Sequence, residues 1–236
     1  MPSIADNVAR VRERVHAALR RAGRDGEPVT IVAVTKAFGA EIVREVIAAG
    51  IADIGENRVQ ELLAKQEALG VDACRWHLVG PLQRNKAGKV VGSVALIHSI
   101  DGVRIAETVD RIARERATRA RVLLEVNTSG EASKHGVAPA NAAAIAEAIM
   151  RMESLDLAGL MTIGPLAGGE KGNRACFRAL AELARALRGS TGRPLPILSM
   201  GMSDDFEQAI EEGSNLVRVG RVITGERTAS SRAGDG

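Results

Sequence analysis

The sequence alternates between short apolar runs and longer stretches with helical periodicity, and it does so eight times. Several apolar runs, such as residues 31–35 (IVAVT), are continuous, as in parallel strands that are buried on both faces. The predicted strands cover residues 31–35, 52–55, 76–79, 95–98, 121–127, 158–163, 196–200 and 216–219. The helical stretches cover residues 40–49, 57–69, 84–92, 103–118, 138–152, 172–189 and 204–212. This order predicts a single α/β domain, a (β/α)8 TIM barrel.

A doubly wound open sheet is the alternative to the barrel. That fold often carries a G-x-G-x-x-G turn after its first strand, and this chain has no such motif there. The segment 164–173 (GPLAGGEKGN) follows the sixth predicted strand, and its glycines predict a mobile loop.

An additional helix is predicted before the first strand, with Ser3 as its N-cap. Its apolar residues recur at spacings of three and four, and they are Ile4, Val8, Val11, Val15 and Leu19. This helix is expected to cover the closed end of the barrel or a neighbouring face. Residues 1–226 are assigned to the barrel domain, and residues 227–236, which lack an apolar anchor, are predicted to be a disordered tail.

The composition argues against nucleic acids and membranes as partners. Aromatic residues make up 2% of the chain, whereas base stacking on single-stranded nucleic acid needs exposed rings. The densest basic run, residues 111–121, contains Glu115 at helical spacing, which is typical of a solvated helix face. No segment has the length and hydropathy of a membrane span, and the first residues have no signal-peptide core.

The cysteines indicate the compartment. Cys74 and Cys176 lie in separate segments and do not have the spacing of metal ligands. Two unpaired thiols fit a reducing environment, so a cytoplasmic location without a metal site is expected.

A lysine at the end of the first predicted strand is the strongest chemical signal. In a barrel, functional residues collect at the carboxyl ends of the strands, and Lys36 lies at such an end. Partial burial near a cation such as Arg218 would favour the neutral amine, which is the form that attacks a carbonyl. From its position alone, Lys36 is either such a nucleophile or a partner for a charged substrate.

The loops after strands seven and eight predict a phosphate site. Ser203 lies in a glycine-containing loop before a helix, and Gly220 directly follows the last strand. These two loops are the usual phosphate cradle of the barrel, built from backbone N–H groups and a helix N-terminus. A second role for Ser203 is helix capping, because Asp204 and Glu207 have the spacing of a capping box, and the two roles are compatible.

Other polar residues at strand ends are weaker signals. Asn57 is expected to cap the following helix while its side chain stays available to a ligand. His77 and His98 are each interpreted as hydrogen-bonded structural residues rather than acid–base catalysts. Met161 is interpreted as a core or pocket-wall residue.

Longer motifs carry these residues and extend over residues 31–225. They are AVTK, IGENRVQE, WHLVGPLQRNK, HSID, EVNTSGEASKHGV, GLMTI, LSMGMSDDFEQAIEEGS and VRVG. Together they resemble the pyridoxal phosphate homeostasis proteins, the YggS/PROSC family. The resemblance implies a single-domain barrel related to the N-terminal domain of alanine racemase, with pyridoxal 5′-phosphate (PLP) held as a Schiff base on the strand-one lysine. It also implies a role in cytoplasmic vitamin B6 homeostasis without established catalytic turnover.

Carried over residue by residue, the resemblance makes Lys36 the Schiff-base lysine and makes Ser203 and Gly220 phosphate-binding residues. Arg218 matches the arginine that faces the pyridine nitrogen of PLP. Three further positions fall within family motifs at the mouth of the pocket and are also assigned to cofactor binding: Asn57, His77 and Met161. A monomer is expected, with apo forms of PLP-dependent enzymes as possible recipients of the cofactor.

The sequence departs from the family pattern at two places. TKAFGAE replaces the commoner lysine-proline after the active lysine, which alters the loop. Arg221 stands where a threonine usually follows the glycine, and its backbone N–H is still expected to bind the phosphate. The Arg221 side chain either adds a charge-assisted contact to the phosphate, or it points to solvent or pairs with an acid such as Asp204. The second interpretation is favoured.

Three functions are compatible with these residues and motifs. The leading one is a carrier that binds and releases PLP, and the runner-up is a PLP-dependent amino-acid racemase. Racemisation needs a base on each face of the substrate, and alanine racemase supplies its second base from a Tyr, which this chain lacks. A Schiff-base aldolase is the third, and it would place its lysine elsewhere around the barrel.

Overall fold

The computed structural model describes residues 2–225, which form a closed barrel of parallel strands in sequence order. The strands are β1 (Thr30–Val34), β2 (Asp53–Glu56), β3 (Arg75–Leu78), β4 (Leu96–Ile100), β5 (Ala120–Glu125), β6 (Leu155–Met161), β7 (Ile197–Ser199) and β8 (Leu216–Val219). Because β1 pairs with both β2 and β8, the sheet has no free edge. The predicted (β/α)8 barrel is confirmed, and the tail predicted for residues 227–236 lies outside the described residues.

Helices alternate with the strands and pack around the barrel. They are α1 (Ile4–Arg21), α2 (Ala40–Ala48), α3 (Val59–Leu69), α4 (Ala87–Val90), α5 (Val103–Glu115), α6 (Pro139–Met150), α7 (Gly169–Thr191), α8 (Phe206–Glu211) and α9 (Arg221–Thr224). Short 3₁₀ turns cover Val71–Ala73 and Arg84–Lys86. The turn of helix α9 directly after the last strand was not predicted, because it is only four residues long.

The N-terminal helix α1 covers one side of the barrel. Ser3 caps it as predicted, accepting a hydrogen bond from the backbone of Asp6 at 3.1 Å. The helix packs against α2, α8 and α9, and the Asn7 amide donates to the carbonyl of Ile223 at 2.8 Å. Of the two expected placements, the neighbouring face is therefore correct and the closed end is not.

One cluster of apolar side chains lies inside the barrel, and a second apolar layer lies between strands and helices. The inner cluster contains Val32, Leu96, Leu123, Met161 and Leu216, each at most 3% exposed. Burying a side chain of this size stabilises the fold by about 1.5–3 kcal/mol.

Strand β6 contains an irregularity that depends on glycine. The pairing register between β5 and β6 shifts after Val122, and Gly159 adopts a φ of +157° at this point. A Cβ on Gly159 would lie 1.9 Å from the carbonyl oxygen of Ile197, so any other residue would push β6 away from β7. The bulge sets which residues of β6 face the interior.

The loop after β6 is shorter than predicted. Helix α7 begins at Gly169, within the segment 164–173 that was expected to be a loop. Arg174 explains the earlier start, because its guanidinium pairs with Glu170 one turn away at 2.9 Å and with Glu211 of α8 at 2.5 Å.

Two structural features are relevant to the expected partners: membrane-spanning helices and metal-binding groups of side chains. None of the helices within residues 2–225 has the length and apolar content to cross a membrane. Within the same residues, no group of three or more His, Cys, Asp or Glu side chains is arranged to hold a metal ion. Cys74 and Cys176 are both free thiols.

Candidate functional site

A cavity of about 470 Å³ opens at the carboxyl ends of the strands. Six of the predicted site residues line it, and they are Lys36, Asn57, Ser203, Arg218, Gly220 and Arg221. They come from four different strand-to-helix connections, from β8 and from the first residue of α9, so the barrel brings together residues up to 185 positions apart in the chain. This juxtaposition follows from parallel strands that all end at one rim.

Lys36 stands in the turn after β1, and its side chain is exposed rather than partly buried as expected. Its position is fixed by both neighbours. The Lys65 amine donates to the backbone carbonyl of Thr35 at 2.8 Å, and the backbone N–H of Ala37 donates to the Glu61 carboxylate at 3.0 Å. Ala37 has a φ of +64°, so the chain turns sharply just past the lysine. The amine therefore projects from a fixed backbone into an accessible cavity.

A buried ion pair supports this turn from below. Glu56, the last residue of β2, is fully buried and accepts hydrogen bonds from Lys65 and from the Thr35 hydroxyl, both at 2.5 Å. Burial raises the pKa of Glu56, and the nearby Lys65 and Thr35 oppose that shift. The second carboxylate oxygen of Glu56 has no hydrogen-bond partner, so Lys65 provides most of the interaction that offsets the cost of burying the Glu56 charge.

Arg218 reaches the floor of the cavity from β8 and is only 5% exposed. Its guanidinium donates to the carbonyls of Ser199 and Thr162 at 2.8 and 2.9 Å, and to the Ser199 hydroxyl at 2.5 Å. Burial lowers the pKa of Arg218 to about 10, while the carboxylates of Glu125 and Asp205 oppose the shift. The side chain is thus a fixed cation and a hydrogen-bond donor at neutral pH.

Ser203 and Gly220 meet at the opposite side of the cavity. The Ser203 hydroxyl accepts a hydrogen bond from the backbone N–H of Gly220 at 3.3 Å. A Cβ on Gly220 would lie 3.0 Å from the carbonyl oxygen of Val34, so glycine allows this close approach of β8 to β1. Helix α9 begins at the next residue, which places its first amides beside the cavity.

Ser203 is not a helix cap. The capping position of α8 is Asp205, whose carboxylate accepts a hydrogen bond from the backbone N–H of Met202 at 2.5 Å. The capping-box interpretation of the Asp204 and Glu207 spacing is therefore wrong. The Ser203 hydroxyl is left to face the cavity.

Arg221 directs its guanidinium to the carboxylate of Asp204 at the rim of the cavity. Both side chains are more than half exposed. The favoured interpretation of this side chain, pairing with Asp204, is confirmed.

Three predicted positions differ in detail. His77 and Met161 do not line the cavity. They lie two positions before the lining residues Val79 and Ile163, respectively, and are therefore deeper in the barrel. Asn57 lines the cavity but does not cap α3, which begins at Val59 after Arg58 without a side-chain cap.

Among the lining residues that were not singled out from the sequence, two have titratable side chains, Glu125 and His135. Glu125 is 4% exposed, and burial raises its pKa to about 7, aided by Asp101 and opposed by Arg218 and His135. The period of two in strands could have identified it, because Glu125 lies two residues before Asn127, the polar residue at the end of the predicted strand 121–127. His135 lies in a loop, where no such periodicity applies.

The raised pKa of Glu125 predicts a pH dependence of stability. Between pH 4.5 and about 7 the folded protein keeps a proton on Glu125 that the unfolded chain has lost. The free energy of unfolding should therefore fall as pH rises through this range, by up to about 3 kcal/mol from this group. Glu125→Gln should remove that contribution, as measured by urea denaturation of the unliganded protein at several pH values. Parallel pH profiles for wild type, Glu125→Gln and the exposed control Glu147→Gln would contradict the assignment.

Comparisons with known proteins agree with this architecture. Residues 3–228 match the family model described as alanine racemase, N-terminal domain. A relative named pyridoxal phosphate homeostasis protein, from Pseudomonas aeruginosa, is 41% identical over 227 residues, covering 96% of this chain and 97% of the relative. A relative with the same name from Aquifex aeolicus is 40% identical over 222 residues, covering 94% of this chain and 97% of the relative.

A solved structure extends the likeness to three dimensions. PipY of Synechococcus elongatus, determined with PLP bound, superposes on this chain with a TM-score of 0.83 at 34% identity. The alignment covers 94% of this chain and 100% of PipY. On its sequence, its barrel and this full-length likeness, the chain belongs to the family of pyridoxal phosphate homeostasis proteins.

Proposed function

We propose that this protein binds PLP as a Schiff base on Lys36 and acts in cytoplasmic vitamin B6 homeostasis as a carrier without turnover of its own. One observation carries the proposal. A single cavity combines an accessible amine, a fixed buried cation and a glycine-serine loop, on Lys36, Arg218 and the Ser203–Gly220 pair. A monomer and delivery to apo forms of PLP-dependent enzymes are parts of the same proposal.

The residues present fit the aldehyde and the phosphate of PLP. The aldehyde needs an amine, and Lys36 supplies one from a fixed turn. The phosphate needs backbone N–H groups and a hydroxyl, which the start of α9 and Ser203 supply. A cavity of about 470 Å³ is also in the usual range for small-molecule sites, about 300–1,000 Å³.

Arg218 would suit a carrier rather than an enzyme. A guanidinium can only donate hydrogen bonds and stays charged at neutral pH, so it would disfavour a proton on a pyridine nitrogen beside it. The chemistry that PLP supplies is electron withdrawal from a bound amine, and an unprotonated ring withdraws electrons less strongly. Arg218 would therefore suppress reactions that consume the cargo.

An assay of cofactor transfer tests the carrier role. PLP-loaded protein, freed of excess ligand by gel filtration, should restore the activity of an apo-aminotransferase. Lys36→Ala carried through the same loading and filtration should restore none. Equal restoration by wild type and Lys36→Ala would contradict the proposal.

The second candidate function is an amino-acid racemase, and Glu125 is the observation that favours it. A carboxyl with a pKa raised to about 7 on the cavity wall could exchange a proton with a substrate. Incubation of the PLP-loaded protein with L-alanine in heavy water separates the two functions. The carrier proposal predicts no deuterium at the α-carbon, whereas exchange that is lost in Glu125→Gln would establish the enzyme.

The phosphate side of the site gives a paired prediction. Arg221→Thr should leave PLP affinity unchanged, because the guanidinium pairs with Asp204 at the rim. Ser203→Ala should weaken PLP binding about fivefold, as expected for one lost neutral hydrogen bond. Both variants should bind pyridoxal, which lacks the phosphate, as the wild type does. Spectroscopic titration checks this, and a selective loss of PLP affinity in Arg221→Thr would assign its side chain to the phosphate instead.

A further inference from the structure

A column of hydrogen-bonded side chains runs through the barrel interior from its amino-terminal end to the cavity. Its members come from five strands, are each at most 7% exposed, and are Asp53, His77, His98, Ser199 and Arg218. Asp53 lies at the start of β2, where the exposed Arg75 holds it by two bonds of 2.8 and 2.6 Å. Arg218 lies at the other end, on the cavity floor.

Each link of the column has hydrogen-bond length. Asp53 Oδ1 is 3.0 Å from His77 Nε2, and His77 Nδ1 is 3.0 Å from His98 Nε2. His98 Nδ1 is 2.9 Å from Ser199 Oγ, which is 2.5 Å from Arg218 Nη1. The two imidazoles therefore connect a carboxylate at one end of the barrel to a guanidinium at the other.

The chemistry of Arg218 and Asp53 fixes the direction of the hydrogen bonds at the two ends of the column. Arg218 can only donate, so Ser199 Oγ accepts from it. Burial would raise the pKa of Asp53, but the hydrogen bonds from His77 and Arg75 outweigh burial and lower it to about 2, so Asp53 is an acceptor. His77 must then donate from Nε2 to Asp53.

The middle of the column follows from the buried His98. Burial, together with His77 and Arg218, lowers the pKa of His98 well below its ordinary value, so this ring is neutral and carries one proton. If that proton were on Nδ1, Ser199 Oγ would accept from both His98 and Arg218. Its own hydroxyl proton would then have no acceptor, because His98 and Arg218 are its only side-chain partners among residues 2–225. The arrangement that satisfies every link puts the proton of His98 on Nε2, with Ser199 donating to Nδ1.

We propose that His98, supported by His77 and Asp53, is a positioning residue that orients Arg218 toward the ring of the bound cofactor. Every hydrogen bond of the column is donated in the direction of Asp53, so the Ser199 hydroxyl donates to His98. Its oxygen lone pairs are then available to accept from the guanidinium of Arg218 and hold it in one orientation. This inference rests on the proposed function, because it is the ring of PLP that Arg218 would face. It also gives His77 a role at a distance, in place of the direct ligand contact that its family motif suggested.

The column can be tested in the unliganded full-length protein. The chain has four histidines, so nitrogen–proton correlation spectra of the imidazoles are tractable. His77 and His98 should both show the Nε2–H tautomer with a bare Nδ1, while the exposed His16 and His135 serve as internal references. An Nδ1–H tautomer at His98 would overturn the inference, whatever the ligand proves to be.

The consequence for the cofactor is tested with ring-labelled ¹⁵N-PLP bound to wild type, His98→Met, Ser199→Ala and the double variant. Breaking the column should move the ring-nitrogen signal toward the protonated position and raise pyruvate formation from L-alanine at least about threefold above the background that the wild type shares with free PLP. Because both changes act through Arg218, the double variant should show no more than the larger single effect. Unchanged signals in folded variants, or additive effects, would overturn the inference. Failure of the wild type to bind PLP at Lys36 would instead refute the proposed function and leave the tautomer test standing.

Discussion

Lys36→Ala is expected to bind no PLP covalently, so the visible absorption band of the loaded protein should be absent at any ligand concentration. The reason is geometric, because Lys36 is the lysine that lines the cavity among residues 2–225, and its turn is fastened on both sides by Lys65 and Glu61. Without that amine the phosphate and ring contacts remain, but the covalent link does not. Absorption spectra of protein titrated with PLP measure the effect directly.

Two controls make this result specific. Lys89→Ala removes an exposed lysine elsewhere on the surface and should keep the full band. Lys36→Arg keeps a positive charge at the same turn but cannot form the same linkage, so it should also lose the band. A visible band of wild-type intensity in Lys36→Ala, removable with hydroxylamine, would show that another amine carries the cofactor.

Lys65→Met is expected to destabilise the protein by about 3–5 kcal/mol, the usual cost of removing one partner of a buried ion pair. Glu56 is fully buried and already has one carboxylate oxygen without a partner. The lost amine would leave this charge with only the Thr35 hydroxyl, and it would also release the carbonyl that fixes the Lys36 turn. Thermal or urea denaturation measures the loss.

A second substitution separates the buried charge from the lost packing. In Lys65→Met combined with Glu56→Gln, no unpaired charge is buried, so a large part of the stability should return. The deficit of Lys65→Met alone should also be smaller at pH 5 than at pH 8. Burial holds the folded pKa of Glu56 above its unfolded value, so the penalty grows as pH rises past that unfolded value. A deficit below 1 kcal/mol, on the order of an exposed pair, would contradict this account.

The fold could be predicted from the sequence because its signals are local. Each strand was found within a few residues of its observed bounds, since apolar runs mark buried parallel strands. The start of β6 was missed because Asp156 interrupts the apolar run, although it pairs in register with Arg121 of β5. The start of α7 was missed because glycines suggested a loop, whereas contacts of Arg174 with another helix stabilise the first turn.

The site was predictable only where it follows strand ends. Lys36, Arg218 and Gly220 stand at such ends, and the parallel topology alone brings them to one rim. The interior column was not predictable, because His98 and Ser199 are 101 residues apart and meet only across the barrel. Likewise, a local pattern predicted that Ser203 caps a helix. In the structure its hydroxyl instead accepts a hydrogen bond from Gly220, which is 17 residues away in the chain.

The most direct test of the central claim is to locate the cofactor after chemical reduction. The wild-type protein is loaded with PLP, reduced with borohydride, digested and analysed by peptide mass spectrometry. We expect one pyridoxyl group per chain, on the peptide that contains Lys36, and no modification of the Lys36→Ala protein under the same conditions. A stoichiometric adduct on Lys86, Lys89 or another lysine, with Lys36 unmodified, would contradict the claim.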